Sequence, residues 1–539
     1  MESKAEPAPH SEEPVKSSPR ILSGVIFVSM LFVLTLGLTD YGFTWDEAET
    51  NFPAARNQAA WFRGLAKGET GFTEESIRKH FETESDHPSL PRTLMALGRF
   101  AIADSYSDRF AFRLPVALIV SLFTAAFFWF LQRSVGIFPA IVGTLFLVFH
   151  PRWFAHSHLA EYDILIAVAW WAAAVSYMWA FSETETLSER EKWTRAFIAS
   201  SLFGLALATK LHAFFLPFPL LAWTLLFRRW EAWRWAVLSA FLGPALYLGS
   251  QPYLWWNTLE RLQNRFLDYS QKVPITTYYL GEWYPGNVPW HYPWVLLAAT
   301  LPVGFFLFAL VGVAGTLRNG LNSSIRFSPR MKRCTFYILN AITTPLIFSW
   351  KSPYDGIRLF VIALPFLAMI AAEGMALCYE FLLTRPNTRR RPIVFVGAIA
   401  VLILLQIASC YRCHPFQLAY YSPLIGGVRG AHALGFETTY WCDALNDSFI
   451  DSLKRELEGP QNIALHAMDA PPWEEFRKEG KIPVDWRFNQ PGFPDLHIVQ
   501  FRQGFFGPFE RRLVESHADV LAENQLFGVP LIRAYKRPE

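Results

Sequence analysis

Charge is scarce in this chain. Of its 539 residues, 18% are Asp, Glu, Lys or Arg and 52% are hydrophobic, a balance that excludes an ordinary soluble globular protein and points to a polytopic membrane protein. Cysteine is also rare. The five present make neither a disulfide framework nor paired CxxC zinc motifs. A net charge of +3 is too small for this length to indicate a nucleic-acid partner, and no basic-aromatic motif of that kind appears. The chain has no GxxxxGK[ST] and no GxGxxG after a strand, so no soluble nucleotide site is indicated. It also lacks the internal repeat common in transporters.

Long apolar runs are what the chain does have. Residues 1–20, rich in Pro, Ser, Glu and Lys, read as a disordered cytoplasmic tail. The run "ILSGVIFVSMLFVLTLGL" follows and is long enough to span a bilayer; no small-residue cleavage site comes after it, so it reads as an uncleaved first span. Further apolar segments near 112–131, 137–153, 164–181, 196–210, 211–227, 235–250, 292–315, 334–350, 358–383 and 392–412 bring the expected total to roughly eleven spans. The basic stretches "RRWEAWR" (228–234), "RNGLNSSIRFSPRMKR" (318–333) and "TRPNTRRRP" (384–392) fall on the side of the tail, which the excess of Lys and Arg in cytoplasmic loops assigns to the cytoplasm. The expected fold is mainly α: a helical transmembrane domain over 21–414 and an extracytoplasmic C-terminal domain over 415–539. That last portion alternates strand-like "NIALHAM", "LHIVQFR" and "PLIRAYK" with a helical "DALNDSFIDSLKRELE", enough for one small α/β unit.

Polar groups concentrate in the loops assigned to the opposite face. The loop 40–110 opens with "TDYGFTWDEAETNF", carrying Asp46 and Glu47, and continues to Asp86 and His87. Arg152 and Asp163 follow in 150–163, His291 stands in "PWHYP", and Lys351, Tyr354, Asp355 and Arg358 lie in "WKSPYDGIR". Acids, histidines and isolated cations converging on one membrane face suit an anionic, membrane-embedded substrate.

These motifs resemble, in order, those of polytopic GT-C glycosyltransferases, in particular the family 39 group of protein O-mannosyltransferases and aminoarabinose transferases. "WDE" (45–47) is similar to the acidic pair after the first span, and "DHPSLPR" (86–92) to an "HPPL"-like motif, with Ser89 where a second proline is common. "HPRWFAHSHLAEYDILIA" resembles the second loop, whose aspartate is matched by Asp163. "PWHYP" (289–293) resembles "PWYYP", with His291 departing at one aromatic position, and "YDGIRLF" and "HPFQLAYYSPLIGGVRGAHALGFETTYW" resemble a bacterial branch.

The resemblance implies transfer of mannose or a related sugar from a polyprenyl-phosphate donor to an acceptor hydroxyl on protein or lipid, at the extracytoplasmic face of a bacterial inner membrane. Such a reaction needs removal of the acceptor proton and stabilisation of the leaving phosphate. Asp46 is the expected general base, Glu47 its partner for orienting acceptor or metal, and Asp163 a second candidate or a helix cap. Arg358, His87, Lys351 and Lys210 are the expected phosphate contacts, with snorkelling interfacial anchors as the alternative for Arg358 and Lys210. Asp86, Arg152, His291, Tyr354 and Asp355 complete the candidate set. A divalent metal is a possible cofactor, with Asp46, Glu47, Asp86, His87, Glu282 and His291 as available ligands. "CYRCH" (410–414) has the form of a haem c signature but abuts a span and occurs once, so a disulfide among Cys410, Cys413 and Cys442 is the expected alternative. A lipid-linked sugar flippase and a non-catalytic membrane scaffold are the rival functions.

Overall fold

The computed structural model describes residues 19–82, 87–102, 104–270, 275–321, 327–350, 354–384, 390–516 and 518–536. Asp86, Lys351 and residues 1–18 of the expected tail lie outside that set.

Helices dominate, and five of them are long and apolar enough to cross a membrane: Asp108–Val135, Tyr162–Phe181, Val303–Gly320, Ala363–Leu383 and Arg391–Arg412. Other expected spans form helices at Pro19–Leu36, Glu189–Thr209, Trp233–Gly249 and Pro329–Phe348. On Pro19–Leu36 the exposed Ile21, Val25, Val28 and Phe32 recur at helical spacing, while Met30 and Leu34 are buried. One face is thus apolar to the surroundings, and the other packs on Asp108–Val135. Val303–Gly320 and Ala363–Leu383 approach unusually closely, because a Cβ on Gly312 would sit 2.2 Å from the Ile370 carbonyl oxygen and one on Gly374 would sit 2.1 Å from that of Phe308.

The expected span 292–315 is broken for a local reason, and the boundary expected at Lys210 is a stretch of non-helical backbone. The 292–315 run divides into Tyr292–Thr300 and Val303–Gly320, since Pro302 forces the preceding Leu301 into extended backbone (φ −70°, ψ 128°). Around Lys210 the helix Glu189–Thr209 stops, Lys210 itself is extended (φ −156°, ψ 145°), and Pro217 starts the next helix, Pro217–Phe227, after a 3₁₀ turn. The 137–153 run gives only Ile137–Val148 before His150 caps a short helix, Pro151–His156.

Among the described residues, strands form two sheets. A hairpin of β1 (Thr276–Tyr279) and β2 (Glu282–Pro285) turns at Leu280 and Gly281, both at positive φ (52° and 84°), as a two-residue hairpin loop demands. The C-terminal unit is a five-stranded sheet of β3 (Gln461–His466), β4 (Trp486–Phe488), β5 (Leu496–Gln500), β6 (Val520–Leu526) and β7 (Val529–Lys536) in the order β4-β3-β5-β7-β6. The first three strands are parallel, and β7 and β6 are antiparallel. Helix Pro471–Lys478 contributes Trp473 and Phe476 to the cluster with Ile463, Ile498 and Ile532, whereas helix Pro508–Glu515 places Leu513 in the cluster with Val499 and Tyr535. The two helices therefore cover opposite faces of the sheet.

This unit sits directly on the loop after the first helix. Trp45 N–H donates to the Trp441 carbonyl at 3.0 Å, Arg56 pairs with Glu475, and the buried Arg109 pairs with Glu479 and Asp447. A side chain at Gly42 would strike the Leu445 carbonyl at 1.9 Å, so the loop lies flush against the segment leading into the sheet.

Candidate active site

Asp46 faces a cavity of about 300 Å3 between the helix ends and the C-terminal unit. Four earlier segments line it: the acidic loop through Trp45, Asp46, Thr50 and Asn51; His87; Tyr162 at the start of one helix; and Lys210 at the end of another. Tyr354, Asp355 and Arg358 form another wall, and Ile275, Trp441, Arg502 and Phe505 close the top.

Local backbone explains why Asp46 points inward. Residues Glu47–Asn51 form a π-helical turn in which the Phe52 N–H reaches back to the Glu47 carbonyl, and Pro53, which has no N–H, starts the following helix. Asp46 stands at the head of this turn with its side chain 34% exposed, and Arg358 Nη1 donates to its Oδ2 at 2.8 Å. Glu47, one residue on, turns away into the protein. It is fully buried and receives Arg113 Nε and Nη2 at 2.7 Å each, the Ala160 N–H at 2.7 Å and the Thr44 N–H at 3.1 Å. The expectation that Glu47 orients acceptor or metal does not fit this placement, because its oxygens are already occupied in locking the loop to helix Asp108–Val135 and to Ala160.

Asp163 is buried at the base of Tyr162–Phe181 in an ion pair with Lys210. The capping expected of it is performed by Glu161, whose carboxylate accepts from Ile164 N–H at 2.9 Å and pairs with His156 at 3.0 Å. Arg358, in a 3₁₀ turn ahead of Ala363–Leu383, is 7% exposed and also meets Asp355 at 3.3 Å. Its guanidinium lies 4.7 Å from the Trp441 ring and 5.2 Å from that of Tyr354, which holds a cation by its quadrupole. A snorkelling anchor would extend toward water, and Arg358 instead points into the cavity.

The remaining candidates divide. Asp355, at positive φ (55°), bonds Arg502 at 2.5 Å, and burial raises its pKa despite the opposing Arg502 and Arg358. Gly356 follows at φ 65°, where a Cβ would press on Arg152 Nη1 at 2.7 Å. Arg152 supports this turn from beneath without lining the cavity; its Nε donates to the Tyr420 carbonyl at 3.0 Å and its cation lies 4.7 Å from the Tyr421 ring. His291 bonds Tyr279 at 2.9 Å and stands outside the cavity.

Among the described residues, the expected metal ligands lie in separate places. Asp46 and His87 line the cavity, Glu282 lies on β2, and His291 faces Tyr279. Among the described residues no group of three or more His, Cys, Asp or Glu is positioned to hold an ion; Asp46 is paired with Arg358, and Asp86, another expected ligand, lies outside the described residues. The expected disulfide is not formed either: all five cysteines are free. Cys413 and Cys442 pack in an apolar cluster, and burial pushes the Cys413 thiol up to about 12. His414 of the haem-like motif is engaged by Asp40 at 2.9 Å and by Gln417 at 3.2 Å.

Sequence reasoning missed Arg502, Phe505 and Asn51. Arg502 and Phe505 come from the loop after β5, in a region that reads as an ordinary soluble domain; the only available signal was the aromatic, glycine-broken "FRQGFFGPF". Glu437 was also missed. It accepts the Gly504 N–H at 2.8 Å beneath this loop, and burial raises it to about 7 against the pull of Arg502.

The described residues thus form a bundle of mainly apolar helices with a cavity lined by carboxylates and cations at one end. Residues 86–256 match the family model described as dolichyl-phosphate-mannose-protein mannosyltransferase. The apo crystal structure of ArnT from Cupriavidus metallidurans is similar, at 16% identity and a TM-score of 0.49, covering 97% of this chain and 100% of that one. The same protein bound to undecaprenyl phosphate gives 16%, 0.48, 96% and 99%. The apo oligosaccharyltransferase of Archaeoglobus fulgidus gives 12% and 0.49, covering 86% of this chain and 64% of that one. No curated protein sequence matched.

Proposed function

We propose that this chain moves a sugar from a polyprenyl-phosphate donor to an acceptor hydroxyl, with Asp46 as general base and Arg358 as the main contact of the leaving phosphate. The observation that carries this reading is the approach of Arg358 to Asp46 at 2.8 Å inside a cavity also lined by Lys210, His87 and Arg502. The acceptor oxygen attacks the anomeric carbon as Asp46 takes its proton. The bond from that carbon to the phosphate oxygen breaks with inversion, and the new negative charge falls among cations fixed beforehand, which is how an enclosed site stabilises a leaving group most effectively. Arg358 serves both partners in turn: an arriving phosphate draws its guanidinium from Asp46 and frees the carboxylate for the acceptor. Lys210 is already paired with Asp163, so it supports the phosphate side as part of a neutral couple. Tyr162 and Ile275 also line the cavity.

The flippase alternative is less well supported, because binding alone gives no reason to set a partly exposed carboxylate against the cations. The site is read as extracytoplasmic, with the Arg- and Lys-rich loops inside. Mass spectrometry of purified protein given a panel of polyprenyl-phosphate sugars tests the reaction: free polyprenyl phosphate and a mass increment of one sugar on an acceptor are expected, and intact donor throughout would refute it. Cysteines placed at the exposed Lys67 and Glu458 should react with an impermeant reagent from outside and one at Arg228 should not; the reverse would invert the assignment of sides.

A further inference from the structure

A second recess of about 600 Å3 opens beside the cavity and shares Trp45 and Phe505 with it. Its far side is built by the end of β3 and the segment after it (Leu465 to Asp469) and by the segment after β5 (Gly504 to Gly507, with Glu510). We infer that this recess holds the acceptor of the proposed transfer, and that the acceptor is an uncharged saccharide; this rests on the reading of the cavity as a glycosyl-transfer site.

Topology is the first argument. β3 lies between β4 and β5, all three parallel, and the chain leaves β3 for a helix on one face and β5 for a helix on the other. Loops that diverge in this way at the carboxyl ends of parallel strands leave a crevice between them, where open α/β sheets bind ligands. The recess occupies that crevice, and Trp45 connects it to its neighbour Asp46, where a proton must be taken.

Chemistry is the second argument. Trp45, Phe505 and Phe506 line the recess, presenting apolar ring surface to the C–H face of a sugar, while the Asp469 and Glu510 carboxylates supply acceptors for its hydroxyls. Glu510 is positioned by the Gly507 N–H at 2.9 Å and by His466 at 2.8 Å, and His466 in turn bonds His497 at 2.9 Å. Asp469 is exposed and makes no ion pair among the described residues. Two carboxylates against one histidine disfavour a phosphorylated acceptor, the reverse of the cationic cavity next door.

The test is direct binding to the full-length protein in lipid nanodiscs, using neutral trisaccharides of mannose, glucose and N-acetylglucosamine, the same sugars bearing a phosphate, and a Ser/Thr-rich peptide. At least one neutral trisaccharide should bind, its phosphorylated form at least about tenfold more weakly. Asp469→Arg should weaken the neutral sugar by about tenfold, the scale of a lost hydrogen bond to a charged group, and Asp469→Asn should weaken it less. Tighter binding of the phosphorylated sugar or of the peptide, no trisaccharide binding, or an Asp469→Arg protein that binds normally would overturn the inference. Polyprenyl phosphate binding, measured in parallel, separates the two failures: if it is absent, the transferase reading falls, and if it is intact while the sugars fail, only the acceptor assignment falls.

Discussion

At the scale of residues, the account turns on Arg358 having two partners at different times. Arg358→Ala should lower turnover by about 100-fold or more if the phosphate contact strengthens as charge develops. Arg358→Lys should recover part of this, because a point charge remains while the forked geometry that spans Asp46 and Asp355 is lost. Steady-state kinetics on both variants check this, and an alanine variant with full activity would leave Arg358 a purely structural cation. Six of the fourteen residues lining the cavity were candidates from the sequence. Asp46, His87, Lys210, Tyr354, Asp355 and Arg358 are polar groups beside apolar runs, where ionisable residues are costly unless used. Glu47 was not separable from Asp46 by sequence, since adjacent residues on a helical turn point in different directions and only the fold supplies Arg113.

At the scale of elements, the loop after the first helix is held by one buried pair. Glu47 and Arg113 are both 0% exposed, and Arg113 also donates to the Leu38 and Gly42 carbonyls at 2.7 Å. Removing one partner leaves the other charge buried, which costs about 3–5 kcal/mol. Glu47→Gln and Arg113→Met should therefore each lower thermal stability markedly in detergent, while Asp46→Asn should not; equal stability of all three would remove Glu47 from its structural role. Apolar run length marks the boundary at Lys210 but passes over the break at Leu301, which Pro302 imposes.

At the scale of the whole molecule, the C-terminal unit forms part of the site: Arg502 reaches back to Asp355, more than a hundred residues earlier, and such long-range closure leaves no periodic trace in the sequence. The same junction makes stability pH-dependent. Glu437, raised by burial to about 7, keeps its proton in the folded state where the unfolded chain has lost it. Its contribution is thus fully present below about 4.5 and is lost as pH rises through about 7. Asp443, raised by burial to about 6, acts in the same direction. The melting temperature should fall between pH 5 and 8, and Glu437→Gln should flatten that fall; an unchanged slope would show that Glu437 ionises normally. The central claim is general-base catalysis by Asp46, and the most direct measurement is Asp46→Asn assayed for transfer and, separately, for binding of a non-transferable polyprenyl-phosphate sugar. The account predicts transfer reduced by about 100- to 10,000-fold with donor affinity retained, and near-normal transfer by a folded Asp46→Asn protein would contradict it.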